Sequence, residues 1–144
     1  MPFLSDRQRN YLKREHPEVY ARFVRDEGRT GNELRAPAAV AANAKRGLAL
    51  REQYGRGGTI VGATRANQLA KREVLSIETI KRMVNYFTRH AVDLEAPAAK
   101  PGHPDYPSAG RIAWDLWGGD AGRAYAKRQL AIWDRVQGAN KEQP

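Results

Sequence analysis

The fold of this chain is decided by residues 65–90, which read RANQLAKREVLSIETIKRMVNYFTRH. Small and apolar residues recur here at the spacings at which two helices pack across a tight turn. They are Ala66, Leu69, Ala70, Leu75, Thr79 and Ile80. Ser76, just before the second apolar run, is a typical helix N-cap. The segment predicts a helix-turn-helix-like pair, although Val74 stands where such a turn usually has glycine.

The second predicted helix has one apolar face and one polar face. Ile80, Met83, Val84 and Phe87 follow the i, i+3, i+4, i+7 spacing of a packed face. In a helix-turn-helix the second helix enters the major groove, where its polar side chains reach base edges. The candidate nucleic-acid contacts are Glu78, Lys81, Arg82, Asn85 and Arg89 on this helix, and Arg65, Lys71 and Arg72 before it.

Positive charge is concentrated in the same part of the chain. The 144 residues carry a net charge of +9, and residues 36–92 hold ten Lys or Arg against three Asp or Glu. A localised cationic surface favours a polyphosphate partner, because each neutralised phosphate releases condensed counterions. Nucleic acid, most simply double-stranded DNA, is therefore the expected partner. A solvated helix face and a surface for an acidic protein are the alternatives.

An alanine-rich helix is expected to precede this segment. Pro37 suits the first turn of a helix, the following composition favours helix up to about Tyr54, and Gly55 is a typical residue at a helix C-terminus. Lys45 and Arg46 on this helix are further candidate nucleic-acid contacts.

The loop 55–59 contains three glycines and is predicted not to be helical. It carries Arg56, another candidate phosphate contact. The loop lacks the Lys-Ser/Thr ending and the preceding apolar strand of a nucleotide-binding loop, so a turn that joins two helices is favoured.

The composition divides the chain into two parts. Residues 1–35 are predicted to form an N-terminal helical hairpin, and residues 36–144 a basic helical domain with a proline-rich loop at 96–107. The hairpin is nearly balanced in charge and rich in aromatic residues, which favours protein docking. The candidate docking residues are Tyr11, Tyr20 and Phe23.

Two helices are expected after the proline-rich loop. Ser108 is the predicted N-cap of the first and Asp120 that of the second, with two glycines between the helices. The apolar face of the last helix comprises Tyr125, Ala126, Leu130, Ile132, Trp133 and Val136. The three tryptophans, Trp114, Trp117 and Trp133, are interpreted as core anchors. Charge pairing is expected to join Arg89 or Arg123 to Asp93 or Asp115.

Nothing in the sequence indicates a catalytic or metal site. The chain has no cysteine, which excludes disulfides and thiolate ligands. Its three histidines, His16, His90 and His103, are far apart, and there is no dense carboxylate cluster or nucleophile elbow. We therefore expect no enzyme activity, no metal and no cofactor. The short apolar runs also argue against a membrane partner.

Several motifs resemble a small module that is scattered through tailed-phage and prophage proteins. They are Thr79-Ile80-Lys81-Arg82-Met83, Tyr86-Phe87, Arg89-His90, Val92-Asp93 and the run 110–126, GRIAWDLWGGDAGRAYA. The similarity covers roughly residues 38–130. The opening segment, with FLS at 3–5, QR at 8–9, YL at 11–12 and HPE at 16–18, is similar to a second short phage segment. The chain has Ala91 where the module usually has an acidic or polar residue, and Tyr125 where an indole is usual.

The resemblance implies a phage origin but no reaction, since the module has no known activity. Together with the charge pattern, it leads us to expect a non-enzymatic, all-α DNA-binding protein that acts in the host cytoplasm. The alternative is a virion structural or morphogenesis protein of the head or connector, docked on capsid or packaged DNA. A small enzyme and an inhibitor of a host protein are less favoured. The oligomeric state is open.

Overall fold

The computed structural model describes Tyr11, residues 14–17 and residues 35–141. Within 35–141 the secondary structure is helical apart from one isolated antiparallel bridge between Arg35 and Val74. The protein is therefore all-α, as the sequence predicts. The α-helices of this part are α1 Ala38–Tyr54, α2 Ile60–Ala70, α3 Ile77–His90, α4 Ala109–Leu116 and α5 Gly119–Lys141.

The helix ends follow the predicted capping residues. The Ser76 hydroxyl accepts a hydrogen bond from the Thr79 amide at 3.1 Å, at the start of α3. The Ser108 hydroxyl does the same for the Arg111 amide at 3.0 Å, at the start of α4. Gly55 ends α1 with a φ of 62°, a left-handed conformation that glycine adopts without steric cost. These three predictions are confirmed.

The helix-turn-helix prediction needs a correction. The first helix of the pair, α2, packs mainly on α1, whereas α3 packs mainly on α5. The connection between them is tied to the start of α1 instead: Arg72 Nε donates to the Ala36 carbonyl at 2.7 Å, and Arg35 Nη1 donates to the Arg72 carbonyl at 2.9 Å. Helices α2 and α3 therefore have the expected order and buried residues, but each packs mainly on another helix and not on the other member of the pair.

The core is built from all five α-helices and is aromatic where α3 and α4 meet. Phe87 meets Trp114 edge to face, with ring centroids 4.8 Å apart. Trp114 and Trp117 are buried, which confirms their role as anchors, while Trp133 is only partly buried and does not have that role. On α5, Tyr125, Ala126 and Val136 are buried, and Leu130, Ile132 and Trp133 are partly exposed.

A close crossing of α1 and α4 fixes the centre of the molecule. At Gly47, a Cβ would lie 2.6 Å from the Leu116 amide nitrogen, so only glycine lets the two backbones approach this closely. The crossing also brings Arg46 Nη2 to 3.1 Å from the buried carboxylate of Asp115.

The prediction that Asp120 caps the last helix is wrong by two residues, because the N-cap is Gly118, whose carbonyl accepts a hydrogen bond from the Gly122 amide at 2.9 Å. Helix α5 begins at Gly119, and Asp120 lies in its first turn. Its carboxylate accepts a hydrogen bond from the Trp114 indole at 3.0 Å, so it holds the tryptophan in place.

The proline-rich segment before α4 is more regular than a loop. It contains the 3-10 helix Pro97–Ala99 and follows another, Ala91–Glu95. The Ser108 amide donates to the Ala98 carbonyl at 2.9 Å. From across the molecule, Arg56 donates to the carbonyls of Asp105 and Pro107.

Candidate nucleic-acid interface

The C-terminal half of α3 forms one wall of an open cleft of about 760 Å³. Arg82, Asn85 and Arg89 are three and four residues apart, so they share the side of α3 that lines it. The opposite walls are the turn that leads into α2, including Thr59, and the first residues of α4, including Gly110.

A column of stacked rings forms the floor of the cleft. The Trp117 and Tyr86 rings are nearly parallel, with centroids 4.5 Å apart and an interplanar angle of 7°. The other side of Tyr86 stacks on His90 at 4.7 Å and 26°. Burial raises the pKa of the Tyr86 phenol, and the charges of Asp93 and Asp115 raise it further. The phenol is protonated at neutral pH, as an ordinary tyrosine is, and its neutral ring suits the apolar column.

Arg65 belongs to this column and not to the surface. Its guanidinium lies over the Trp117 ring at 5.4 Å from the centroid, it hydrogen-bonds Gln68, and the residue is only 6% exposed. Burial lowers the pKa of Arg65, and the nearby charge of Arg82 lowers it further. The expectation that Arg65 contacts a phosphate is therefore corrected, because a buried guanidinium does not reach a backbone outside.

Several of the predicted basic contacts have no carboxylate partner among the described residues. Arg82 and Arg89 at the cleft, and Lys45 and Lys71 elsewhere, are exposed and form no ion pair there. Lys81 lies on another side of α3, where its ammonium is 5.7 Å from the centroid of the Trp133 ring. The structure thus separates Lys81 from Arg82, although the two are adjacent in sequence.

Three other predicted contacts are already used within the protein. Arg46 pairs with Asp115, whose hydrogen bond and charge raise the pKa of the guanidinium, although its side chain is still 55% exposed. Arg56 is engaged by two carbonyls, with Tyr54 at 5.4 Å from its guanidinium, and Arg72 donates to Ala36. Glu78 is exposed in the first turn of α3.

The charge pairing differs from the predicted one. The Asp115 carboxylate is paired with Arg46 at 3.1 Å and with Arg111 at 3.3 Å, not with Arg89 or Arg123. It is 1% exposed, and two guanidinium groups compensate its burial. The Asp93 carboxylate is 3.0 Å from His90 Nδ1, where it orients the ring at the end of the column.

The predicted protein-docking residues receive no support. Tyr11 is 3% exposed, with its hydroxyl 3.3 Å from His16 Nε2, so this ring is not available to a partner as it stands. This corrects the expectation for Tyr11. Tyr20 and Phe23 lie outside the described residues.

The cleft contains functional candidates that the sequence analysis did not select. Tyr86 and His90 follow Arg82 at helical spacing, which is a usable signal, but Trp117 comes from the end of α4 and reaches the column only through tertiary packing.

Among the described residues no group of three or more His, Asp or Glu could hold a metal ion, and no helix is long and apolar enough to cross a membrane. Comparisons with protein-family models, curated proteins and solved structures found no match.

Proposed function

We propose that this protein is a non-enzymatic, phage-derived nucleic-acid-binding protein that contacts phosphates through the basic side of α3. The observation that carries the proposal is the pair of exposed arginines, Arg82 and Arg89, which line the cleft and have no ion-pair partner among the described residues. The phage origin rests on the motif resemblance described above.

An arginine gains more from a phosphate when no carboxylate already compensates its charge. A guanidinium that already pairs with a carboxylate, as Arg46 does, gains little from a phosphate. Arg82 and Arg89 have no such partner among the described residues, and the charge of Arg82 lies close enough to Arg65 to lower the pKa of Arg65. An anion bound at Arg82 offsets this repulsion and accepts charge-assisted hydrogen bonds.

The geometry favours backbone contact over a recognition helix in the major groove. A helix that enters the groove must protrude with its polar side free. Here the side of α3 with Arg82 and Arg89 faces a concave cleft, and Lys81 lies against Trp133. Binding is therefore expected to depend on salt and only weakly on base sequence.

The test is a salt titration of duplex binding. For the double variant Arg82→Ala/Arg89→Ala we expect weaker binding, and a slope of log affinity against log salt that is reduced by about 1.8, since each phosphate contact contributes about 0.9. The control is Lys127→Ala/Arg128→Ala, which removes the same charge from exposed positions on α5 away from the cleft. It should keep the wild-type slope.

Two outcomes contradict the proposal. Equal slopes for the wild type and the arginine variant would remove the cleft side of α3 from the interface. No binding of the wild type at low salt would remove nucleic acid altogether and favour the alternative of a virion protein that docks on capsid.

A further inference from the structure

The cleft has the size and the lining of a site for a small planar ligand. Its volume of about 760 Å³ falls within the roughly 300–1,000 Å³ that is usual for ligand pockets. Such pockets combine aromatic and apolar walls with a few well-placed polar groups. The aromatic and apolar walls of this cleft are supplied by Tyr86, Trp117 and Ala113. Its polar groups are supplied by Arg82, Asn85 and Arg89.

The aromatic column has one closed end and one open end. Arg65 covers the Trp117 end, with its guanidinium 5.4 Å from the ring centroid. At the other end, one face of His90 stacks on Tyr86, while 43% of the His90 side chain is still exposed. A planar ring that enters the cleft can therefore extend the column by stacking on His90.

The polar groups near this open end suit a nucleotide. Arg82 and Arg89 are positive, and Asn85 between them carries the amide that pairs well with base edges. Asp93 is the carboxylate among the described lining residues, and His90 Nδ1 engages it at 3.0 Å. The cleft thus offers stacking, an amide and two cations within one helical face.

We propose that the cleft binds one unpaired nucleotide of a nucleic-acid strand, with its base on His90 and its flanking phosphates at Arg82 and Arg89. This inference rests on the proposed function and makes it more specific. Bases in a duplex are already stacked and paired, and the walls at Thr59 and Gly110 make the site concave, so a single strand or a strand end fits it better.

The experiment compares three probes by fluorescence anisotropy and competition: a labelled 12-nucleotide single strand of mixed sequence, its blunt duplex, and deoxyadenosine monophosphate. The variants are His90→Ala, which removes the ring, and His90→Phe, which keeps a planar ring. Circular dichroism of each variant establishes that it is folded.

We expect His90→Ala to bind the single strand about 10-fold more weakly, which corresponds to about 1.4 kcal/mol, a loss within the range known for base stacking on aromatic side chains. His90→Phe should restore most of the affinity. Duplex binding should change less than twofold in both variants, because backbone contact does not need the ring. The mononucleotide should compete only weakly, since it makes one phosphate contact.

The outcomes separate this inference from the proposed function. If the duplex binds through Arg82 and Arg89 but His90→Ala leaves single-strand affinity unchanged, the inference fails and the proposed function stands. Equal losses for the single strand and the duplex would also overturn it, as would competition by the mononucleotide as strong as that of the strand. If no nucleic acid binds, both fail.

Discussion

Replacing Gly47 with alanine tests the close helix crossing on which the cleft depends. Helix α4 supplies one wall of the cleft, and its distance from α1 is fixed where Gly47 meets Leu116. A Cβ at position 47 would lie 2.6 Å from the Leu116 nitrogen and 2.9 Å from the Asp115 carbonyl carbon, against the 3.4 Å at which ordinary contact begins. Both neighbours are backbone atoms, so no side chain can rotate away and the helices must move apart.

Two opposing effects set the change in the free energy of unfolding that Gly47→Ala causes. Alanine is favoured over glycine inside a helix by about 1 kcal/mol. Overpacking of a core contact typically costs about 1–3 kcal/mol, and a clash with backbone belongs at the upper end of that range. The packing effect therefore wins, and we expect Gly47→Ala to lower the free energy of unfolding by about 2 kcal/mol. For a chain of this size that loss lowers Tm by roughly 6 °C.

The assay is urea and thermal unfolding, followed by circular dichroism, with Gly62→Ala as the matched control. Gly62 is also helical and buried, but its Cβ would meet nothing closer than Trp117 Nε1 at 3.4 Å. That variant should be more stable than the wild type by up to about 1 kcal/mol, because it gains the helix preference of alanine without the clash. If Gly47→Ala is as stable as Gly62→Ala, the close approach of α1 and α4 is refuted.

Two other predictions concern the core. Trp114→Ala should cost about 3–5 kcal/mol of unfolding free energy, because Trp114 is 1% exposed and its indole donates to Asp120. Trp133→Ala should cost less than half as much, because Trp133 is only partly buried. Equal losses in chemical denaturation would contradict this difference in burial. Asp115→Ala should cost about 3 kcal/mol of unfolding free energy by the same measurement, because it leaves two guanidinium groups without their buried carboxylate. Arg46→Ala, which removes a half-exposed partner, should cost about 1 kcal/mol. Similar losses for the two variants would refute the central role of Asp115.

Much of the local structure was predictable because its causes are local. The hydroxyls of Ser76 and Ser108 bind amides three residues ahead, and Gly55 adopts a conformation that favours glycine, so spacing and residue type alone indicate these helix ends. The buried face of α3, with Met83 and Phe87, follows from helical periodicity in the same way. The all-α class therefore follows from the sequence.

The candidate site could be predicted only in part. Helical spacing places Arg82, Asn85 and Arg89 on one side of α3. The sequence contains no signal that distinguishes Arg65 from these exposed residues. Arg65 is equally basic, but it is removed from the surface because it stacks on Trp117. Whether an arginine is exposed depends on what packs over it, and that partner is 52 positions away in the chain.

The concentration of positive charge, most helix ends and the buried face of α3 follow from the sequence, since they depend on residues within one or two turns of each other. Which charges are paired, and where a concave surface forms, depends on how the helices pack. Asp115 meets Arg46 because α1 and α4 cross at Gly47, and the rings of Trp117, Tyr86 and His90 align because α4 ends beside α3. Such contacts join residues that are distant in sequence, and their geometry is set by the packing of whole helices.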